Sequence, residues 1–434
     1  MIKFISDIVS ISGTSSTFYI SLENDSIDFT NSETRQILRI CSSEGECSIP
    51  IEIKELPLLI EVLKGTVLSK QSKVVAWNWK DFVSYVSFHF GKLVEFQAVV
   101  LDLKIIESYF FIKQEKPVNY LSALIRFKKL KTDKDWEKFY NIYNSVYLPL
   151  ITLVVPTMEN TPLLDCELKD RVYAHYSING QDNGRMLCSN ARIKGYNPHT
   201  LSKDQKGKYK PCVPYNVFLN FDFRSMEVAV LAYLANDEKL LELIQAPDIY
   251  SSIFVAITNS VADDNSKILA KKIFLPTIYG MSARTLAEQA DIQLSLAEQI
   301  CSNINKIFFK SVNYVKGFVS LAESQGTISD YFGKRRTFTE NFYKARNFCI
   351  QSPASLICLE KLVQLWKKIQ HKTRICYHVH DGYYVYAQDD NWKEVAIEAK
   401  KVLVSESQIC PGMRLRVACH GGTKLNNLKS LEKR

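Results

Sequence analysis

No stretch of the chain is long and apolar enough to span a bilayer, so no membrane segment is expected. The 11 cysteines include no Cys-x-x-Cys pair and no His/Cys cluster at metal spacing. That excludes a zinc site or a disulfide framework as the organising feature, and the odd count points to free thiols in a reducing compartment. Internal repeats and low-complexity tracts are missing as well. The first residues, MIKFISDIVS, hold one Lys and then an Asp, a poor secretory signal. An intracellular protein is the expectation. Neither charge sign dominates: 55 basic residues face 46 acidic ones, a net charge of +9. So mild a surplus fits a polyanion partner without demanding one.

What remains is a chain of 434 residues, 46% hydrophobic, enough for two or three domains with ample core. Thr17 to Glu23 reads as a strand, with a turn at Asn24-Asp25-Ser26. Ile51 to Leu68 reads as a helix interrupted near its start by Pro57. Lys73 to Trp77 is a short buried strand followed by a helix through His89. Phe96 to Leu101 is another strand, with Asp102 at its end, and Asp135 to Leu150 is helical. This is alternating α/β with a mixed sheet. Further on, Arg171 to Tyr176 alternates like a strand, and Thr200 to Lys210 is a polar, basic loop.

The centre of the chain is Asn216 to Ile244. An apolar strand, Val217 to Phe221, delivers Asp222, and a helix begins near Met226 with Glu227 in its first turn. Alone, Asp222 reads better as a carboxylate satisfying free amides in a strand-to-helix turn. A second carboxylate, Asp381, sits in a hairpin turn between Arg374 and Val385. Two such acids are a way to hold divalent metal ions at a sheet edge. Between them, Lys267, Lys271, Leu275 and Tyr279 recur every four residues and share one helical face. By spacing alone the two lysines read as a solvated face.

The ordered motifs resemble those of family A DNA polymerases. Asp222-Phe223-Arg224-Ser225-Met226-Glu227 is similar to motif A, D-Y-S-Q-I-E; Lys267 to Ser282 is similar to motif B, ending in YGMS; Val379 to Gly382 is similar to motif C, V-H-D-E. The resemblance implies a right-hand fold: an antiparallel palm sheet with helical fingers. It implies Mg²⁺, two ions, on Asp222 and Asp381, with the Phe223 carbonyl as a further ligand. It places Glu227, Lys267, Lys271, Leu275, Tyr279 and Tyr250 on the incoming nucleotide. It places Arg185, Lys334, Arg335, Arg336, Asn347, Gln351 and His380 on DNA. The departures are Lys267 for Arg, Leu275 for an aromatic, Tyr250 for His, Gly382 for Glu, and a proline, Pro276, expected to kink the helix.

Residues 1–150 resemble the ribonuclease H-like 3′–5′ exonuclease domain of the same family, through SLENDSID (21–28), AWNWKDF (76–82), LDLKIIESYF (101–110) and Tyr140 to Asn144. Ser21, Phe82 and Asn144 stand where the family has aspartates, while Glu23 and Asp102 remain. That implies an exonuclease-like fold without nuclease activity. About twenty residues separate Leu150 from Arg171, too few for two long antiparallel helices. The expected division is therefore a degenerate exonuclease-like domain (1–150), a thumb remnant (151–170), palm (171–235 and 346–434) and fingers (236–345). The expected partners are primer–template DNA, deoxynucleoside triphosphates and an accessory protein replacing the thumb. An alternative is an inactive DNA-binding protein on a polymerase fold, supported by Gly382, Pro276 and the short thumb.

Overall fold

The structure is a computed structural model. It describes residues 7–8, 10, 12, 17–22, 36–90, 92–110, 116–117, 120–160, 164–166, 171–172, 174–189 and 197–431. Glu23 and the turn at Asn24-Asp25-Ser26 lie outside the described residues.

The N-terminal sheet has the order β3-β2-β1-β4-β5, built from β1 (Thr17–Leu22), β2 (Gln36–Cys41), β3 (Glu46–Ile51), β4 (Lys73–Trp77) and β5 (Val99–Asp102). β1 pairs antiparallel with β2 and parallel with β4, and β4 parallel with β5, so the sheet is mixed. Helices α1 (Leu56–Gly65), α2 (Trp79–Phe90) and α3 (Leu103–Tyr109) follow the strands. The expected helix at 51–68 is shorter. Ile51 closes β3, and Pro57 sits in the first turn of α1, where its missing N–H has no helical partner to lose. The β2–β3 hairpin and α4 (Tyr120–Lys131) were not anticipated, although QILRIC and ECSIPI alternate around a turn glycine, Gly45. The helix expected over 135–150 runs on through residues 136–160 (α5), with π-helical turns at Tyr143–Tyr147 and Leu150–Val154.

After α5 the described residues form only short strands as far as Asn197: β6 (Leu164–Cys166), β7 (Arg171–Val172), β8 (His175–Ser177) and β9 (Leu187–Ser189). The single strand expected at 171–176 is therefore two, in different sheets: β7 pairs with β6, and β8 with β9. The basic stretch at 200–210 is partly ordered, with one helical turn at Lys203–Lys206 closed by a Ser202/Gln205 capping box, then β10 (Tyr209–Lys210).

A second five-stranded sheet is antiparallel throughout, ordered β14-β15-β11-β16-β17. Its strands are β11 (Val217–Phe223), β14 (Ile375–Val379), β15 (Gly382–Ala387), β16 (Val417–Gly422) and β17 (Lys429–Ser430). Between β11 and β14 run α6 (Met226–Leu234), α7 (Glu238–Leu243), α8 (Ile249–Thr258), α9 (Asp264–Ile278), α10 (Ala283–Ala290), α11 (Leu294–Ile307) and α12 (Phe309–Gln325). The hairpin β12–β13 (Thr327–Ser329 and Arg335–Thr337) and α13 (Ala345–Ile369) complete the insertion, and α14 (Trp392–Leu403) follows β15. Pro276 lies in the last turn of α9, so the amide bond it removes is near the helix end.

Buried apolar side chains from both sheets form one continuous core. The N-terminal unit is also bolted to the rest by polar contacts. Lys80 Nζ lies 3.0 Å from Asp81 Oδ1 and donates to the Tyr176 carbonyl at 2.7 Å. Arg335 binds Asp133 through both terminal nitrogens (2.6 and 2.7 Å) and Asp135 at 2.8 Å.

Candidate active site

Asp222 is reached by alternation along β11. Phe221 and Phe223 are buried, and Asp222 turns outward between them. It pairs with Gly382 of β15 on one side and Ala418 of β16 on the other. Asp381 stands in the turn joining β14 to β15, beside His380, which is held at φ 55°. The two acids come together because the Phe223 N–H donates to the Asp381 carbonyl at 3.3 Å. Burial, and then the negative charge of Asp381, push the Asp222 carboxyl up to about 6, while Lys271 opposes them. Gly382 leaves space against this carboxylate: a Cβ there would lie 3.2 Å from Asp222 Oδ1.

Both acids open on a cavity of about 1000 Å³. Phe223, Glu227, Tyr250, Lys267, Lys271 and Leu275 also line it. Thus α9 presents the two lysines and Leu275 to the same space as the two carboxylates, as their four-residue spacing allows. Lys267 Nζ is 2.7 Å from Asp248 Oδ2, and Asp248 also caps α8 through the amides of Tyr250 and Ser251. Burial opposes ionisation of Asp248, yet these donors hold its carboxyl below the usual range. Arg224, Arg414 and Arg416 line the cavity too. The sequence reading passed over all three, because nothing in their spacing ties residue 224 to residues 414 and 416. The backbone does so, with the Arg224 N–H donating to the Arg416 carbonyl at 2.8 Å.

Glu227 is held by three donors. Tyr279 Oη reaches Oε2 at 2.8 Å, and Arg185 Nη2 and Gln351 Nε2 each reach Oε1 at 3.2 Å. Asn183 Nδ2 donates in turn to Gln351 Oε1 at 3.2 Å. Residues expected on the nucleotide and residues expected on DNA therefore share one network at the cavity edge. Asn183 is a member that was not singled out for a role.

The three cations of the basic hairpin are engaged within the chain. Lys334 is buried, with its ammonium near Asn179 Oδ1 (3.4 Å), and burial pushes it down to about 8 against the pull of Asp330. Arg335 is saturated by Asp133 and Asp135 and lies over the Phe110 ring. Arg336 pairs with Asp182 at 2.9 Å and covers Phe338. These cations fasten the hairpin to other parts of the chain. Asn347 and His380 are exposed. Partial desolvation of its ring, and then the nearby Arg185, depress the His380 imidazole below its ordinary range, against the attraction of Asp381.

The family model described as DNA polymerase family A matches residues 136–427, more than half of the chain. DNA polymerase I of Chloroflexus aurantiacus is 24% identical over 252 residues, covering 54% of this chain and 27% of that protein. The DNA polymerase of Mycobacterium phage D29 is 26% identical over 156 residues, covering 35% and 26%. The chain thus spans about a quarter of the length of these two relatives. The POL domain of Pol1 from M. smegmatis, solved in complex with DNA primer-template and dNTP, shares the fold. Its TM-score is 0.70 at 13% identity, over 97% of this chain and 98% of that one. The family match contains both acids and the helix that faces them, and on that ground the chain belongs to DNA polymerase family A.

Proposed function

We propose that the chain is a template-dependent DNA polymerase that adds deoxynucleotides to a primer 3′ end by phosphoryl transfer. The observation that carries this is the meeting of Asp222 and Asp381 in one cavity with Lys267 and Lys271 of α9. A carboxylate whose ionisation is opposed by a second one beside it, with lysines facing both, suits hard dications and a triphosphate together. Among the described residues no group of three His, Cys, Asp or Glu side chains converges to hold a metal. Asp222 and Asp381, with the Phe223 carbonyl, would hold two Mg²⁺, the remaining ligands being water and phosphate oxygens. When bound, the ions would supply activation of the primer hydroxyl and charge neutralisation at the phosphates.

The chain's own groups do the rest. Lys267 and Lys271 meet phosphate charge, and Lys267 must exchange Asp248 for it. Glu227, pinned by three donors, is a rigid barrier against a ribose 2′-hydroxyl and favours deoxynucleotides. Arg185 and Gln351 reach Glu227 from the side on which primer–template DNA would lie. An accessory protein would substitute for the short thumb, and the setting would be intracellular. Among the described residues no helix is long and apolar enough to cross a membrane.

Proofreading is not part of the proposal. Ser21 is a buried hydroxyl, and Phe82 packs against Trp79 and Phe96. Asp102 is consumed as a cap, accepting from the amides of Asn78 (3.1 Å), Trp79 (2.7 Å) and Lys104 (3.0 Å). A carboxylate saturated by three amides is a poor metal ligand.

Primer extension with Mg²⁺ and the four deoxynucleotides tests the reading, with ribonucleotides as the competing substrate. Extension with deoxynucleotides alone is expected. A gel shift without extension supports instead the inactive DNA-binding protein that Gly382 favours.

The Asp222 environment adds a pH expectation. Its folded-state value of about 6 exceeds the model-compound 3.8, so the metal-free fold binds the proton more tightly than the unfolded chain. Stability from this group is full below about 4 and is lost as pH rises through about 6. Metal binding needs the ionised form, so Mg²⁺ affinity should fall roughly tenfold per unit below pH about 6. Isothermal titration across pH 5–7.5 checks this, and a flat profile contradicts the assigned environment.

A further inference from the structure

Arg346 lies in the first turn of α13, one residue before the expected DNA ligand Asn347. Its Nη1 donates to the main-chain carbonyl of Tyr279 at 2.7 Å. Tyr279 is the C-cap of α9, where carbonyls run out of helical partners and a cation is favoured. The guanidinium fits there because residue 280 is glycine. A Cβ on Gly280 would lie 1.3 Å from Arg346 Nη1 and 2.5 Å from its Cζ. Gly280 also sits at φ +90°, a conformation that side chains resist. At the other end of Tyr279, the hydroxyl is bound to Glu227. The residue is thus gripped twice, by α13 through its backbone and by α6 through its ring.

Leu275, Lys271 and Lys267 lie four, eight and twelve residues before Tyr279 on the same helix, facing the cavity. Whatever fixes the end of α9 fixes the register of all three. We propose that Arg346, seated in the Gly280 slot, is a positioning residue for nucleotide selection. It holds α9 so that its cationic face meets the nucleoside triphosphate in one orientation, and it touches no substrate itself. This rests on the polymerase reading above.

The test is single-nucleotide addition by the full chain on a primed template, reading kcat and KM for the matched and a mismatched deoxynucleotide, with melting measured in parallel. Arg346→Ala is expected to raise KM for the matched nucleotide by on the order of tenfold, the scale of a lost charge-assisted hydrogen bond. It should narrow discrimination against the mismatch by a similar factor. Arg346→Lys, which keeps the charge and loses the planar fork, should recover only part. Added guanidinium ion should restore part of the Arg346→Ala defect. Gly280→Ala should reproduce the defect, and the two changes together should cost less than the product of their separate effects. A lower melting temperature with unchanged KM and discrimination would make Arg346 a structural cap only and overturn the proposal, as would fully multiplicative losses. A wild-type chain that extends no primer overturns the polymerase reading and the positioning role with it. An active wild type matched by an equally selective Arg346→Ala overturns the positioning role alone.

Discussion

Asp222→Ala is expected to reduce nucleotide addition by about a thousandfold or more, and Asp381→Ala to do the same. A thousandfold is about 4 kcal/mol of transition-state stabilisation, within reach of a group that organises charge at the reacting phosphate. Loss of folding would not explain the result. Burial and the negative charge of Asp381 make the ionised Asp222 costly in the metal-free fold. Removing its charge should therefore leave the metal-free chain equally or more stable above pH about 6. Rate loss with an unchanged or higher melting temperature is the expected signature. An Asp222→Ala chain that still adds nucleotides at near the wild-type rate would remove the carboxylate pair from the chemistry.

The second large effect lies far from the cavity. Lys80 and Asp81 are 4% and 5% exposed, and the Lys80 ammonium joins the Asp81 carboxylate to the Tyr176 carbonyl. Tyr176 in turn bonds β14, its hydroxyl receiving the His378 N–H at 3.2 Å. This is a buried charged link from α2 of the N-terminal unit to the strand that leads to His380 and Asp381. Lys80→Met leaves Asp81 buried without its cation. It should destabilise the fold by about 3–5 kcal/mol, seen as a lower denaturation midpoint. Changing both partners, Lys80→Met with Asp81→Leu, should recover most of that loss, because neither charge then remains buried. A loss under about 1 kcal/mol for the single change would mean that water reaches the pair. By this account the N-terminal unit contributes rigidity to the strand that leads to Asp381.

Much of this was legible from sequence wherever a local pattern settles the outcome. Lys73 to Trp77 is an unbroken buried run and forms β4 as read. Strand β11 gives way to a helix at Met226 as expected, and the hairpin holding Asp381 turns where His380 and Asp381 put it. The shared face of Lys267, Lys271 and Leu275 follows from helical spacing once α9 exists. What was not legible depends on distant partners. The family resemblance places Lys334, Arg335 and Arg336 on DNA, and by composition alone the stretch reads equally as a solvated basic loop. Whether a cation faces water or a carboxylate two hundred residues earlier in the chain is not a local property, and Asp133, Asp135 and Asp182 decide it. The Arg346–Gly280 contact was hidden for the same reason: only the packing of α13 against the end of α9 gives either residue its meaning. The strand expected at 171–176 is divided because its two halves find different partners, which alternation alone does not reveal.

The central claim is templated synthesis at the Asp222–Asp381 cavity, and addition of one nucleotide tests it most directly. The full chain is given a primed template with each of the four template bases in turn, each deoxynucleotide singly, and Mg²⁺. The account predicts addition of the complementary nucleotide in each of the four cases, and no addition when Mg²⁺ is chelated. Addition that ignores the template base, or no addition by a chain that nonetheless binds the primed DNA, would contradict it.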